Sequence, residues 1–239
     1  MIVVLFIAAV IIGYLLGSIP FGLFVSRAFS GADVREVGSG KTGMTNVMRT
    51  AGKKAAIFSL LLDMAKSAMA VLIAVLIFSN GYAESIGATG WREAAMVLAA
   101  FAAICGHSWS IFLKFKGGRG VATFIGGLLI MYWQAALIGG ALALFIGFRT
   151  KYMSMGSIIG AVTSFVVLML FGIWQKDFLG SYPALVFVLY GMAGAIFIYV
   201  VHRDNIIRLY NGTERTLDEN TAVKTTTPTV RRKQKVTPY

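Results

Sequence analysis

The sequence predicts an all-α membrane protein of seven transmembrane helices, two of them short, with the N-terminus outside and the C-terminus cytoplasmic. Three observations predict it. Of 239 residues, 57% are hydrophobic and only 13% are charged, whereas soluble domains run to about a quarter charged. Long uncharged stretches recur along the chain, and about 20 apolar residues in helical form span a bilayer. Lys and Arg gather in alternate connecting segments, as the cytoplasmic bias of basic residues requires.

The elements follow in order. Residues 1–25 hold no charge and form the first span. No Lys or Arg precedes Arg27, so the basic opening of a secretory signal is missing and the segment reads as retained. The loop 26–54 carries Arg27, Arg35, Lys41, Arg49, Lys53 and Lys54 and is placed inside. A second span over about 55–79 leads to NGYAESIGATGWRE outside, and a third, 94–113, returns at LKFKGGRG inside. As one helix, 120–148 would leave Arg149 and Lys151 outside and invert everything after it. Two helices broken near MYWQ, residues 131–134, keep those cations inside. Each would be about 13–15 residues, short for a bilayer, which implies a thin or tilted pair or a re-entrant hairpin. A sixth span covers 153–173, QKDFLGSY turns outside, and a seventh runs 183–201.

This arrangement puts all but three of the 22 basic residues in the cytoplasm: Arg92 and Lys176 lie outside and Lys66 sits within a span. It accounts for the net charge of +12 without nucleic acid. The lone Cys105 excludes an internal disulfide framework. Residues 1–210 form the membrane domain. The basic, Thr-rich segment 211–239 has a single aromatic and reads as a disordered cytoplasmic tail, with RRKQK suited to anionic lipid.

VGSGKTGMTN, residues 37–46, resembles the phosphate loop of nucleotide hydrolases. That pattern is G-x-x-x-x-G-K-[ST] between a strand and a helix. Counting back from Gly40-Lys41-Thr42 puts Arg35 where the first glycine belongs, and SGADVREVG before it is no buried strand. A nucleotide loop is excluded on that count. A Gly-rich turn still offers backbone N–H groups to an anion, so a phosphate ligand survives.

Three polar clusters fall at the cytoplasmic side. GSGKTGMTNVMRTAGKK (38–54) supplies Gly38, Ser39, Thr45, Asn46 and Arg49 before a helix, a setting for a phosphate. It also reads as a positive-inside loop with turn glycines. GHSWSIFLKFKGGRGVAT (106–123) sets Lys116 and Arg119 around Gly117 and Gly118, where backbone can approach a ligand closely. His107, on an apolar span, is a proton-carrying candidate or a packing residue. HRDNIIRLYNGTE (202–214) puts His202 and Asn205 on one helical face, with Arg203 and Arg208 as ordinary interfacial anchors or ligands. Ser154 follows the fifth span, and Asp63 and Lys66, three apart in the second, are an expected mutual pair. The convergence suggests a site for one or two phosphorylated molecules. No Ser-His-Asp order, paired carboxylates or Cys/His metal spacing accompanies it.

SIPFGLFVS (18–26), GSGKTGMTNVMRTAGKKAAIFSLLLDMAKS (38–67), FLKFKGGRGVAT (112–123) and HRDNIIRL (202–209) together resemble the bacterial acyl-phosphate:glycerol-3-phosphate acyltransferases, in order over about residues 10–215. The resemblance implies a seven-helix inner-membrane enzyme, multi-pass, with its site facing the cytoplasm. It implies transfer of an acyl chain from acyl phosphate to the 1-hydroxyl of glycerol 3-phosphate, giving lysophosphatidic acid for phospholipid synthesis. The donor is already activated, so no ATP, acyl-CoA, metal or cofactor is expected. Ser39, Arg49, His107, Lys116 and Asn205 are the implied catalytic residues. Gly38, Thr45, Asn46, Gly117, Gly118, Arg119, Ser154 and His202 are the implied substrate-binding ones. Either His107 or the leaving phosphate takes the hydroxyl proton, the latter being preferred. The expected partners are the two substrates, the bilayer and the enzyme that makes acyl phosphate, with the chain a monomer. Two departures stand out: Lys41 where the family commonly has an amide, and Arg119 for a lysine. The rival reading is a transporter of small organic phosphates. Such proteins often show inverted repeats with broken helices, and no such pairing is visible here.

Overall fold

The computed structural model describes residues 1–174 and 185–217, and these contain helices, turns and loops but no strand. The expected first span is broken. Helix α1 (Ile2–Ser18) stops before Pro20, and α2 (Phe21–Ser30) follows. Proline lacks an N–H and clashes with the preceding turn, so carbonyls at the break lose their helical donors. Side chains from elsewhere replace them: Ser110 Oγ donates to Ser18 O at 2.6 Å, and Lys66 Nζ to Ile19 O at 3.0 Å. This is the condition for irregular backbone at membrane depth.

Helix α3 (Met44–Phe78) begins well before the expected residue 55 and turns at Gly52, whose φ of 84° and ψ of 178° interrupt the helix. After α4 (Gly81–Ser85) comes a 3-10 turn, Thr89–Trp91, and then α5 (Arg92–Ser108). The expected break in 120–148 is present at Tyr132, but the halves are unequal. Helix α6 (Val121–Met131) has 11 residues and α7 (Trp133–Thr150) has 18. Helices α8 (Met153–Trp174), α9 (Leu185–Val201) and α10 (Arg203–Tyr210) complete the chain. The expected turn at QKDFLGSY lies outside the described residues. Among the described residues, five stretches are long and apolar enough to cross a membrane: Ile2–Ser30, Met44–Phe78, Thr89–Leu113, Trp133–Thr150 and Met153–Ile173. The pair α9 and α10, bent by 60°, would make a sixth, and α6 is shorter.

Small residues bring the helices together, as packing between apolar helices in lipid demands. A Cβ at Gly13 or Gly17 of α1 would overlap the Ala99 or Ala103 carbonyl of α5. Gly156 and Gly160 of α8 press on Ala143 and Gly139 of α7 in the same way. In the middle, Phe124 stacks on Tyr190 with ring centroids 5.3 Å apart, and the Tyr190 hydroxyl donates to Phe124 O at 3.2 Å. Helix α6 packs on both α3 and α7, whereas α3 and α7 scarcely touch one another, leaving a cleft between them.

The chain does not leave the fold at residue 210 as expected. Gly212, at φ +68°, reverses it. Thr213 N then donates to Arg208 O at 2.8 Å and Leu217 N to Lys151 O at 3.0 Å, so 211–217 lie back across the helix ends. Residues 218–239, including RRKQK, are outside the described residues.

Candidate active site

The three clusters meet at one end of the bundle, around a cavity of about 390 Å³. Its mouth is polar. Ser39, Thr45 and Arg49 come from the start of α3 and the loop before it, and Arg119 from the loop before α6. Ser154, His202 and Asn205 come from the ends of α8 and α9–α10. Its interior is apolar, with Leu60 and Met64 of α3 facing Ile125 and Leu129 of α6 and Leu137 and Leu144 of α7. Leu137 is half exposed, so the apolar part opens sideways at the α3–α7 cleft.

The first cluster is a locked loop. Asn46 is 2% exposed. Its Nδ2 donates to Val34 O at 2.7 Å and to Val37 O and Lys41 O at 2.9 Å, while Oδ1 accepts from Ser39 N at 3.2 Å. Asn46 therefore reaches the cavity wall with its amide committed to the loop that carries Ser39. Gly38 lies in that turn, off the wall. The stem is clamped by Asp33, which accepts from Arg27 Nη2 at 2.9 Å and Arg35 Nη2 at 2.6 Å. The hydrogen bond from Arg35 holds the Asp33 carboxyl well below the usual carboxylate range.

The second cluster divides. Lys114 and Phe115 have φ of 51° and 60°, turning the chain back so that Gly117 N donates to Ser108 O at 3.1 Å and Gly118 N to His107 O at 2.9 Å. Gly117 and Gly118 are buried against His107, off the cavity, and Lys116 is exposed and off it too. Arg119 points to the wall. Burial lowers its guanidinium to about 10, where it remains protonated at neutral pH.

The third cluster holds a residue that sequence reasoning missed. Glu214, carried back by the turn at Gly212, accepts from Asn205 Nδ2 at 2.6 Å and Ser154 Oγ at 2.9 Å on one oxygen. Its other oxygen accepts from Arg208 Nε at 2.9 Å. The signal was a glutamate just after an Asn-Gly turn, at the close of a polar segment. Arg49 Nη2 donates to Thr216 O at 2.9 Å on the same returning strand of chain. Asn205 Oδ1 is buried without a partner among the described residues. His202 Nδ1 lies 2.7 Å from Ile198 O, an acceptor, so Nδ1 carries the proton and Nε2 a lone pair.

Beneath the mouth, the expected Asp63–Lys66 pair forms at 2.8 Å, with both side chains 2% exposed. Lys66 Nζ is also 2.9 Å from His107 Nδ1. Asp63 and His107 both reach the cavity wall. Among the described residues no group of three or more His, Cys, Asp or Glu has the arrangement to hold a metal ion.

A family model described as glycerol-3-phosphate acyltransferase matches residues 7–212. The chain belongs to that family. A glycerol-3-phosphate acyltransferase 3 of Dehalococcoides mccartyi is 42% identical over 92% of this chain and 99% of its own length. A glycerol-3-phosphate acyltransferase of Rhodopseudomonas palustris is 41% identical over 90% of this chain and 97% of its own. Among solved structures, the crystal structure of PlsY, an integral membrane glycerol 3-phosphate acyltransferase in its glycerol 3-phosphate form, matches with a TM-score of 0.72. It is 33% identical and covers 88% of this chain and 94% of that one. The lysophosphatidic acid form matches at 0.71 and 31% identity. As a member of the family the chain is a membrane acyltransferase, and the transporter reading loses its support.

Proposed function

We propose that the chain transfers an acyl group from acyl phosphate to the 1-hydroxyl of glycerol 3-phosphate, giving lysophosphatidate and inorganic phosphate. The observation that carries this reading is one cavity that joins a cationic mouth to an apolar interior open at the α3–α7 cleft. A doubly charged phosphate and an acyl chain can both reach it, each from its own phase.

Arg49 and Arg119, with the Ser39 and Thr45 hydroxyls, supply donors and charge for phosphate oxygens. Lys116, three residues before Arg119 in the same loop, adds to the positive field, and Gly117 and Gly118 shape the loop. Asn205 Oδ1 and His202 Nε2 are acceptors, so they orient glycerol hydroxyls rather than phosphate. The acyl chain lies along Leu60, Leu129, Leu137 and Leu144. The 1-hydroxyl attacks the acyl carbonyl, the bond from carbonyl carbon to phosphate oxygen breaks, and the departing phosphate takes the hydroxyl proton. A mixed anhydride is activated already, so the protein positions and neutralises charge and needs no ATP, acyl-CoA or metal.

The same reading gives seven crossings with the N-terminus outside. Helices α3, α6 and α8 start at the site end, and α5, α7 and α9 finish there, which supports alternate crossing with α6 as a short span. The site then faces the cytoplasm of a bacterial inner membrane, where the chain, a monomer, receives acyl phosphate from the enzyme that makes it.

The test is purified protein in detergent or lipid cubic phase with acyl phosphate and glycerol 3-phosphate. Lysophosphatidate forms from acyl phosphate and not from acyl-CoA or acyl carrier protein. No product from acyl phosphate overturns the reading.

A further inference from the structure

We infer that Asp63, Lys66 and His107 are positioning residues for the loop 114–120, with His107 acting as its post and not as a proton carrier. The inference rests on the proposed reaction for its kinetic consequences and on geometry alone for the contacts.

Four observations lead there. First, His107 holds the loop from both its backbone and its ring. Its carbonyl accepts from Gly118 N at 2.9 Å, and a Cβ on Gly117 would overlap that carbonyl. A Cβ on Gly118 would overlap the ring at Nε2. The glycine pair is thus explained by the histidine beneath it. Second, the ring is fixed from the other edge. Lys66 Nζ stands 2.9 Å from Nδ1, 2.8 Å from Asp63 Oδ1 and 3.0 Å from Ile19 O. The ammonium forms an ion pair with Asp63, donates to Ile19 O and stands against the ring at Nδ1. Nδ1 also lies 3.4 Å from Asp63 Oδ1, so both members of the buried pair meet this edge of the ring, and Nε2 is the edge turned to Gly118.

Third, the loop needs holding. Lys114 and Phe115 both sit at positive φ, the left-handed region that L-residues with a Cβ disfavour. Local sequence therefore does not choose this turn, and the tertiary anchor does. Fourth, the loop ends at Arg119, which reaches the cavity wall. A chain of contacts thus runs from the α1–α2 break through Lys66 and His107 to a cation of the mouth. Buried intramembrane charges are expensive unless they serve a site or a partner. Here their service is to set where Arg119 stands.

The prediction separates a post from a proton carrier because Asn places its Oδ1 where His places Nδ1. His107→Asn keeps the acceptor that Lys66 needs and has no group able to relay a proton. It should retain kcat within a few fold. His107→Ala and Lys66→Met should raise KM for glycerol 3-phosphate about tenfold or more with a smaller change in kcat. The double variant should be no worse than the worse single one, since both break one contact chain. A loss of kcat of about 10²-fold or more in His107→Asn at unchanged KM would make His107 the proton carrier and overturn the inference.

A second readout does not depend on turnover. Trypsin can cut after Lys114, Lys116 or Arg119, and cleavage there should quicken in Lys66→Met and His107→Ala while His107→Asn stays at the wild-type rate. Equal rates in all four proteins would overturn the inference whatever the reaction. Absence of product from the wild-type protein, by contrast, would remove the proposed function and leave the cleavage result to decide.

Discussion

Asn205 Nδ2 lies 2.6 Å from a Glu214 carboxylate oxygen that also accepts from Ser154, so a residue beyond the last apolar helix ties the ends of α8 and α9–α10 together. With Arg208 on its other oxygen, this side chain, 5% exposed, is the tie between the returning segment and the mouth. Removing it leaves three donors without their acceptor. Unpaired buried donors cost about 1–3 kcal/mol, so Glu214→Ala should lower the melting temperature in detergent by several degrees. Glu214→Gln, which keeps an acceptor toward Asn205 and Ser154, should lose less.

Asn46 makes a test in which the smaller change is the worse one. Its two N–H donors face three carbonyls, one N–H being shared between two of them. Asn46→Asp points a carboxylate at those oxygens, whereas Asn46→Ala merely leaves them without a donor. The aspartate should impair activity and speed trypsin cleavage after Lys41 at least as much as the alanine does. An aspartate that behaves like wild type would remove the loop-lock role.

Arg49 lines the mouth and also donates to the returning segment at Thr216. Arg49→Ala should lower kcat/KM by about 10²-fold or more, the scale for losing a charge-stabilising donor. Arg49→Lys should recover little, because a single ammonium cannot direct a guanidinium's forked donors two ways. Asn205→Ala should abolish turnover, by loss of the Oδ1 acceptor. Both need a melting curve beside the assay.

Gly140 lies on the apolar wall, and a Cβ there would meet Ile125 Cγ2 at 3.5 Å, an ordinary contact. Gly140→Ala should therefore be silent. Gly140→Leu should fill the interior and cut kcat/KM for long acyl phosphates more than for short ones, read from a chain-length series. Equal effects across the series would place the acyl chain elsewhere.

Asp33 sets a pH signature. Its folded carboxyl titrates below the unfolded value of 3.8, so its contribution is present above that value and is lost as pH falls toward the folded one. Arg27 and Arg35 are 53% and 41% exposed, so the pair is worth about 1 kcal/mol or less. Asp33→Asn should thus narrow the difference between melts at pH 7 and pH 3 slightly, and not move activity at pH 7 by more than a few fold.

Much of this was legible in the sequence because membranes impose coarse rules. Charge placement alone required the break near Tyr132, and intramembrane cost alone paired Asp63 with Lys66. What the sequence hid were tertiary rescues. Residues 1–25 read as one uncharged span, and only Lys66 and Ser110, from distant segments, explain how the break at Pro20 is satisfied. Asn46 looked like a ligand since amides and hydroxyls suit phosphate, but its partners are carbonyls set by a loop that composition does not describe. Glu214 sat in a tail too polar to order itself; three donors from elsewhere order it.

The sideways opening between α3 and α7 has a kinetic meaning. An acyl donor that enters from the lipid is counted per unit of membrane, in mole fraction, and not per litre. Adding empty micelles at constant total donor should slow the enzyme as if substrate had been withdrawn, while the apparent KM for glycerol 3-phosphate stays put. The rate thus responds to two concentrations measured in two dimensionalities, and the cleft is where they are reconciled.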